Sequence, residues 1–365
     1  MLLMVSAGEP SGDLRAAELC SELSKRADIP CFGLGGDAMA GAGVELTAHL
    51  ADYSVMGFSS VLASLGRLRA LEKELKRQCL ARRPDALLLV DYPGLNLRLA
   101  KWARTRGFRV VYYISPQFWA WGGWRLRGIA RSVDLMITLF RFEADIYGRR
   151  GVRALWCGHP LVDSIPAPSP GGQALALLPG SRPDEVARLL PRMLDCVDLM
   201  RASGDTREVR VAVSRTVPRG LYEGAAQRRC SLVDGTAAAL PGARAALVCS
   251  GTATLETALH GVPFVLMYRT SSLNYLLARL LVRGVDRICL ASIAAGRSVA
   301  RELVQGDATG EGAIEALAPL LADSAERVRA VEELDLVRKS LGPPGAAARA
   351  AEGVLAGLAT EFRDT

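Results

Sequence analysis

The residue with the clearest capacity for chemistry is Asp91, a carboxylate that directly follows an apolar run at 87–90. A carboxylate at the carboxyl end of a buried parallel strand can act as a general base, because partial burial raises its basicity. The segment continues as Asp-Tyr-Pro-Gly-Leu-Asn to residue 96, and a helix is predicted over 96–106. An N-cap for that helix is the alternative role for Asp91.

Two turns in the second half of the chain suit a diphosphate. In Leu178-Pro-Gly-Ser-Arg182, the serine and the backbone N–H groups can meet phosphate oxygens, and the arginine can bind a diphosphate bidentately. In Cys249-Ser-Gly-Thr-Ala-Thr-Leu-Glu256 a strand turns directly into a helix, which presents free N–H groups and a positive dipole end. Glu256 can accept hydrogen bonds from a ribose diol. Helix capping without a ligand is the alternative for this turn.

Two further glycine-rich turns lie near the start of the chain, at 7–13 and 33–37. Each follows a predicted strand, and its glycines permit close approach of the backbone to a ligand. Both open on the carboxyl side of their strands, so they can line one cleft. A tight connection without a ligand explains either turn taken alone.

Short apolar runs alternate with helical patterns along the chain, which is typical of parallel α/β sheets. The pattern predicts strands at 2–6, 29–34, 86–90, 109–114 and 135–138, and again at 174–178, 208–214, 245–250 and 263–268. A segment at 165–172 with three prolines and two glycines separates the two series. We therefore expect two Rossmann-like domains, 1–165 and 172–340, and a final helix within 346–365 that packs back on the first.

The net charge of +7 is concentrated in one segment. Residues 101–150 hold ten Lys and Arg against three Asp and Glu, together with four of the five tryptophans. Arginine with tryptophan is the composition expected at an anionic membrane interface, whereas a solvated basic face with core tryptophans is the alternative. No nucleic-acid-binding motif accompanies the charge.

Composition argues against several other classes of site. The eight cysteines form no C-x-x-C pair and only three histidines are present, so we expect neither a disulfide framework nor a metal centre. The opening residues do not resemble a signal peptide and no apolar run reaches 18 residues, which predicts a cytoplasmic location. A dinucleotide-dependent oxidoreductase fits least, since no G-x-G-x-x-G with a later acid is present.

Taken in order, the motifs resemble those of the lipid-A-disaccharide synthase family. The matching segments are A-G-E-P-S-G-D at 7–13, G-L-G-G at 33–36, V-M-G at 55–57, D-Y-P-G-L-N at 91–96, Y-I-S-P-Q-F-W-A-W at 113–121, G-H-P-L-V-D at 158–163, L-P-G-S-R-P-D-E-V at 178–186, S-G-T-A-T-L-E at 250–256 and Y-R-T-S at 268–271. The resemblance spans roughly residues 1–305.

This resemblance implies a GT-B glycosyltransferase, an α/β protein with two Rossmann-like domains facing each other across a cleft. The implied reaction transfers 2,3-diacylglucosamine from UDP to the 6-hydroxyl of 2,3-diacylglucosamine 1-phosphate, with inversion to a β-1,6 bond and without a metal or other cofactor. The implied setting is the cytoplasmic face of the inner membrane, where the protein is peripheral. A homodimer is a further expectation.

The resemblance also assigns roles to individual residues. Those implied to be catalytic are Asp91, Asn96, Glu9 and Arg182. Those implied to bind UDP are Gly180, Ser181, Arg182, Ser250, Gly251, Thr252, Ala253, Thr254, Glu256 and Tyr268. Those implied to face the acceptor or the membrane are Ser11, Gly12, Met56, Trp119, Trp121, Arg125 and Arg127.

The chain departs from the family pattern at three places. Gly94 replaces a second acid after Asp91, the glutamate usual after V-M-G is missing from the segment around Ser60, and a Leu-Pro-Asn loop reads Leu-Ala-Ser292. These changes leave open a divergent acceptor preference or a weakened enzyme. Alternatives are a UDP-GlcNAc 2-epimerase, a lipid II glycosyltransferase and a non-catalytic UDP-sugar-binding protein. His159 is interpreted as structural rather than as a residue that orients the donor, and an apolar stripe at 273–283 as core packing.

Overall fold

The computed structural model describes residues 1–53, 61–117, 126–166, 168, 172–271, 275 and 287–359, with 61–65 described by their backbone alone. The chain divides into two compact units. The first comprises Met1–Pro160 and Pro343–Thr365, and the second comprises Leu161–Gly342. Predicted site residues Met56, Trp119, Trp121 and Arg125, and Ser60 with most of 273–283, lie outside the described residues.

The first unit contains a seven-stranded parallel sheet of order β3-β2-β1-β4-β5-β6-β7. Its strands are β1 (Leu3–Ala7), β2 (Cys31–Gly35), β3 (Glu45–His49), β4 (Ala86–Val90), β5 (Arg109–Tyr113), β6 (Leu135–Thr138) and β7 (Ala154–Trp156). Its helices up to residue 160 are α1 (Pro10–Ser24), α2 (Asp37–Gly41), α3 (Val61–Arg82), α4 (Pro93–Thr105), α5 (Leu126–Ala130) and α6 (Arg141–Gly148). This strand order is that of a Rossmann-like sheet.

The register of the central strands determines where the loops of the first unit meet. Ala7 pairs with Val90, so β1 and β4 end at the same level. The turn at 7–13 and the segment that begins at Asp91 therefore leave the sheet side by side. Residues 86–90 are buried on both faces, because helices pack on each side of the sheet.

The second unit contains a six-stranded parallel sheet of order β10-β9-β8-β11-β12-β13. Its strands are β8 (Ala174–Leu178), β9 (Val209–Val213), β10 (Ser231–Asp234), β11 (Ala243–Cys249), β12 (Phe264–Tyr268) and β13 (Arg301–Val304). The helices within its described residues are α7 (Leu161–Ser164), α8 (Pro183–Ala202), α9 (Glu223–Gln227), α10 (Gly235–Ala239), α11 (Thr252–Leu259), α12 (Leu290–Ala295), α13 (Gly310–Leu321) and α14 (Ala325–Ser340). Short 3-10 turns lie at Leu50–Asp52, Arg219–Tyr222 and Gln305–Asp307.

The final helix, α15 (Ala346–Ala359), packs on the first unit. Gly353 lies so close to Leu155 that a Cβ at this position would come within 2.1 Å of the leucine side chain. The Arg349 side chain donates to the carbonyl oxygen of Cys157 at 2.8 Å, and the Arg109 side chain donates to that of Leu358 at 2.7 Å. The last helix thus completes the core of the first unit.

The strand predictions are confirmed in both units, with ends that differ by two residues at most. The division between the units falls between Pro160 and Leu161, because α7 packs against α11 within the second unit. Among the described residues, no helix is both long enough and apolar enough to cross a bilayer.

Candidate functional site

A cavity of about 600 Å³ lies at the carboxyl ends of four adjacent strands of the second unit. Both turns that the sequence predicted to hold a diphosphate contribute to it, one after β8 and one after β11. The cavity is lined by residues 178–182, 185, 212–215, 234–236, 249–253 and 256. It therefore brings together Gly180, Ser181, Arg182, the helix start at Ser250–Ala253 and Glu256.

The turn after β8 is fastened by a residue that received no role in the sequence analysis. The Glu185 carboxylate accepts hydrogen bonds from the backbone N–H groups of Ser181 and Arg182, at 3.1 and 3.2 Å. It also pairs with the Arg182 guanidinium at 2.9 Å. The two amides proposed for phosphate are thus engaged within the protein. A glutamate at the third position of a helix that starts at Pro183 is the signal of a capping box.

Gly180 has a backbone conformation that favours glycine, with φ of +122°. A Cβ at this position would come within 2.6 Å of the Glu185 carboxylate, and Cys249 lies on the same side. The turn therefore needs glycine both for its dihedral angle and for space. Arg182, by contrast, has a side chain that is 79% exposed, so its guanidinium has room to move.

The turn after β11 leads into α11 through Gly251, whose φ is +131°. Thr252 and Ala253 line the cavity in the first turn of this helix, where amide groups lack intrahelical partners and the dipole is positive. The Ser250 hydroxyl donates to the carbonyl oxygen of Ile288 at 3.1 Å. An anion at this helix start would meet backbone N–H groups rather than side-chain cations.

Two of the predicted UDP-binding residues do not line the cavity. Thr254 is fully buried, and its hydroxyl donates to the carbonyl oxygen of Gly251 at 2.8 Å and accepts from the Ala291 N–H at 3.3 Å. It fastens the turn to α12 instead. Tyr268, at the end of β12, is partly buried and lies outside the cavity lining. Side-chain type alone did not distinguish a hydroxyl that contacts a ligand from one that holds the turn.

Glu256 lines the cavity, and burial raises the pKa of its carboxyl group while a hydrogen bond from Thr236 opposes the change. Thr236 follows β10, and Ser214 and Arg215 follow β9; these lining residues were not predicted from the sequence. The sequence feature that could have identified them is a polar residue directly after a strand. Neither segment contains a glycine-rich turn of the kind used to predict the other two. Four consecutive strand ends thus build one site.

The altered position Ser292 has a structural role. It is fully buried in α12, and its hydroxyl accepts a hydrogen bond from the Val299 N–H at 3.2 Å. The serine therefore satisfies a buried backbone donor, which an alanine would leave without this partner.

In the first unit, Asp91 follows β4 as predicted, but the N-cap interpretation is wrong. Helix α4 begins at Pro93, and its N-cap is Tyr92. Asp91 and Tyr92 both have φ of +47°, in the left-handed region that non-glycine residues rarely adopt. The Asp91 N–H donates to the carbonyl oxygen of Tyr113 at 2.9 Å. Two consecutive strained residues at a strand end are typical of functional sites.

Asn96, predicted to be catalytic, makes buried hydrogen bonds to the backbone around Asp91. Its side chain is fully buried, and its amide donates to the carbonyl oxygens of Ser6, Val90 and Asp91 at 3.1, 3.1 and 2.8 Å. Its own oxygen accepts from the Ser6 hydroxyl at 2.8 Å. Asn96 thus ties the end of β1 to the end of β4 directly beneath the Asp91 backbone.

The turn at 7–13 packs against Asp91 and Tyr92. A Cβ on Gly8 would come within 2.2 Å of the Tyr92 ring, so only glycine fits here. Burial raises the pKa of the Asp91 carboxyl, and the negative charge of Glu9 raises it further. The structure thus brings the predicted residues Glu9 and Asp91 together. Gly12 is buried, and a Cβ at this position would lie 3.7 Å from the carbonyl oxygen of Val90, whereas Ser11 is exposed.

Asp13 fastens the two glycine-rich turns of the first unit to each other. Its buried carboxylate accepts from the N–H groups of Gly36, Ala38 and Met39 at 2.6, 3.1 and 3.2 Å. It serves as a cap for α2 supplied from another helix, which no local pattern reveals. The turn at 33–37 is therefore held by the end of the A-G-E-P-S-G-D segment.

Within the basic segment, the described residues are of two kinds. Arg127 is exposed on the short helix α5, as an interface residue would be. Trp102 is instead packed, with its ring 6.1 Å from that of Phe108 and the Lys76 ammonium 5.6 Å from its centre. For Trp102, the structure therefore agrees with the alternative interpretation, in which the tryptophans of this segment pack within the protein.

His159 is buried, with its ring 5.3 Å from that of Phe140. Burial lowers its pKa to about 4, and the charge of Arg15 contributes to the shift. The imidazole is therefore neutral at pH 7, as a structural histidine should be. In the described part of the chain, no group of three or more His, Cys, Asp or Glu side chains could hold a metal ion.

Comparison with solved structures identifies the fold. UDP-GlcNAc 2-epimerase from Neisseria meningitidis superposes with a TM-score of 0.66 at 12% identity, covering 98% of this chain and all of the other. MurG from Acinetobacter baumannii gives a TM-score of 0.61 at 13% identity, covering 97% and 99%. At these identities the likeness shows the fold alone. The chain has the two-domain, Rossmann-like architecture shared by GT-B glycosyltransferases and these epimerases.

Comparison of sequences defines the family. Residues 3–350 match the family model described as lipid-A-disaccharide synthetase. Lipid-A-disaccharide synthases from Anaeromyxobacter sp. strain K and Myxococcus xanthus strain DK1622 are 42% and 40% identical over 371 residues, covering 97% of this chain and 96% of each relative. The chain belongs to the lipid-A-disaccharide synthetase family and is a glycosyltransferase, which confirms the resemblance and does not favour the epimerase alternative.

Proposed function

We propose that this protein transfers 2,3-diacylglucosamine from UDP-2,3-diacylglucosamine to 2,3-diacylglucosamine 1-phosphate. The products are the β-1,6-linked disaccharide 1-phosphate and UDP. The observation that carries the proposal is the 600 Å³ cavity where the Gly180–Arg182 turn and the start of α11 meet. Its volume lies within the range of about 300 to 1,000 Å³ that is usual for small-molecule sites.

The second unit binds the donor. The Arg182 guanidinium and the amide groups at the start of α11 stabilise the negative charge that develops on the diphosphate as it leaves. Glu256 accepts hydrogen bonds from the ribose hydroxyls. Electrostatic stabilisation by hydrogen-bond donors and positive charge of this kind does what a bound metal does in other transferases, and we propose that the reaction needs no metal or other cofactor.

The first unit supplies the base. The Asp91 carboxylate takes the proton from the 6-hydroxyl of the acceptor while that oxygen attacks the anomeric carbon of the donor sugar. The bond from this carbon to the diphosphate oxygen breaks, the configuration inverts, and UDP departs with the electron pair. Burial and the charge of Glu9 raise the pKa of Asp91, which makes the carboxylate a stronger base.

We also propose that the first unit contacts the cytoplasmic face of the inner membrane as a peripheral protein. The support is the charge of 101–150, where the exposed cations include Lys101, Arg106, Arg127, Arg131, Arg141, Arg149 and Arg150. Cations at a membrane surface attract anionic lipid, so binding should weaken as salt increases. Sedimentation with anionic and with neutral vesicles tests this part, and equal binding to both contradicts it.

The test of the reaction is an assay of the purified chain with both acylated sugars in detergent and EDTA. We expect UDP and the disaccharide 1-phosphate in equal amounts. Asp91→Asn should lose most turnover and retain UDP binding, whereas Asp28→Asn, the same change at an exposed residue of the first unit, should retain turnover. Absence of product beside an active reference synthase would contradict the proposal.

A further inference from the structure

We propose that Glu185 is a positioning residue that competes with the diphosphate for the Arg182 guanidinium and so limits the affinity for UDP. The inference rests on the proposed function, because it concerns the same cavity. It assigns to Glu185 a task beyond helix capping. The release of UDP after transfer then depends on an ion pair within the protein.

The geometry shows which partner is fixed and which can move. One oxygen of Glu185 is held by the Ser181 and Arg182 amides, and the side chain is only 26% exposed. The other oxygen holds the Arg182 guanidinium at 2.9 Å, and that side chain is 79% exposed. An arriving diphosphate therefore meets an immobile carboxylate and a guanidinium that can turn toward a new partner.

The charges around the cavity determine how strongly the Arg182–Glu185 ion pair affects binding of a diphosphate. The described residues of the lining include two arginines, Arg182 and Arg215, and three carboxylates, Glu185, Asp234 and Glu256. Among these described residues, carboxylates outnumber the cationic side chains that a diphosphate would meet. Since Glu185 already occupies two amides of the turn, the described groups left for the diphosphate are chiefly the guanidinium groups of Arg182 and Arg215 and the start of α11.

Binding of a diphosphate thus involves an exchange. Arg182 leaves the Glu185 carboxylate and pairs with phosphate oxygens, and it returns when UDP departs. Uridine carries no phosphate and needs no such exchange. The cost imposed by Glu185 should consequently rise from uridine to UMP to UDP.

Glu185→Gln tests the exchange, because glutamine at this helix position can still accept hydrogen bonds from the backbone amides while it loses the charge. We expect calorimetry to show UDP binding tightened by about two- to fivefold, the range of an exposed ion pair. Inhibition by UDP should strengthen equally, uridine affinity should stay unchanged, and added salt should reduce the difference.

Asp184→Asn is the matched control. It removes one negative charge from the same helix start, but Asp184 is exposed and does not line the cavity. In an Arg182→Gln background, Glu185→Gln should no longer tighten UDP binding, because the guanidinium for which the Glu185 carboxylate competes is absent. Equal effects of Glu185→Gln and Asp184→Asn would overturn the proposal, and so would tightening that persists without Arg182.

Folding and function are separated by two further measurements. Glu185→Asp, one methylene shorter, should also release the guanidinium and tighten UDP binding, so it replaces Glu185→Gln if that variant melts far below the wild type. Unchanged or weaker UDP binding in folded variants overturns the role of Glu185 alone. A wild-type protein that binds no UDP would instead overturn the proposed function.

Discussion

The Tyr112 hydroxyl donates a hydrogen bond to the backbone carbonyl oxygen of Asp91 across 2.7 Å. The same oxygen accepts the Asn96 amide at 2.8 Å. Asp91 and Tyr92 both adopt left-handed backbone conformations, which cost about 1 to 3 kcal/mol each for non-glycine residues. Two buried donors thus hold the strained backbone from which the proposed base extends.

Removal of the Tyr112 hydroxyl should make the position of the Asp91 carboxylate less well defined, while the proposed contacts with the substrates stay unchanged. For Tyr112→Phe we expect kcat to fall by roughly tenfold, because small displacements of a reacting group are costly, while the KM for the donor stays near that of the wild type. The free energy of unfolding should fall by about 1 kcal/mol. Steady-state kinetics and chemical denaturation measure the two effects.

Thr138→Val is the control for that variant. Thr138 is fully buried in the first unit, and its hydroxyl donates to the carbonyl oxygen of Phe140 at 3.0 Å. The control loses a comparable hydrogen bond at a place that does not support Asp91. Equal losses of kcat in Tyr112→Phe and Thr138→Val would show that general destabilisation, not the position of Asp91, explains the effect.

The pH dependence of activity should reveal the effect of Glu9 on the pKa of Asp91, the proposed base. A general base must be ionised, so kcat/KM should fall as the pH falls through the raised pKa of Asp91. Glu9→Gln removes a negative charge that raises this pKa, so the acidic limb of the pH profile should move to lower pH. A limb that moves upward, or stays fixed, contradicts the contact between these two groups.

Two glycines near Asp91 should respond in opposite ways to alanine. Gly8→Ala forces a methyl group against the Tyr92 ring, and overpacking of this kind costs about 1 to 3 kcal/mol and should lower kcat. Gly94, within α4, has open space around its Cα. Gly94→Ala should therefore stabilise the protein by up to about 1 kcal/mol. Thermal unfolding of the two variants compares them directly.

Gly94 is also one of the positions at which this chain departs from the family pattern. The acid usual at this place is replaced by an exposed glycine in the first turn of a helix, so its loss changes the surface near Asp91 and leaves the buried support intact. Gly94→Asp should be tolerated, since an acid is favourable at a helix start. A change in acceptor preference between the two forms would be seen in KM for acceptors of different acyl length.

The strands and the turns that follow them could be predicted from the sequence, because alternation of apolar runs and helical patterns is local information. The same information placed Asp91, the Gly180–Arg182 turn and the start of α11 at carboxyl ends of strands. Within the second unit, the meeting of the two turns at one edge of its sheet then followed from the rules of parallel sheets. These predictions needed no knowledge of side-chain contacts.

The supporting residues could not be predicted in this way. Asp13 caps a helix that begins 24 residues later in the chain, and Tyr112 reaches Asp91 from the neighbouring strand. Such partners depend on strand order and register, which local patterns do not reveal. The place of Thr254 outside the cavity lining could not be predicted either, since the same type of hydroxyl can face a ligand or hold its own turn.

His159 provides the last prediction, which concerns stability. Its pKa is about 4 in the folded protein against an ordinary value near 6.5. As the pH falls from 6.5 to 4, the unfolded chain binds a proton that the folded chain excludes, so the free energy of unfolding decreases. Between pH 7 and pH 5 the loss from this one group should be about 2 kcal/mol. In His159→Gln the titration is absent, and denaturation curves at the two pH values should lie closer together by that amount. If the wild type and the variant lose the same stability, the imidazole is not the group responsible, and the buried neutral state of His159 is contradicted.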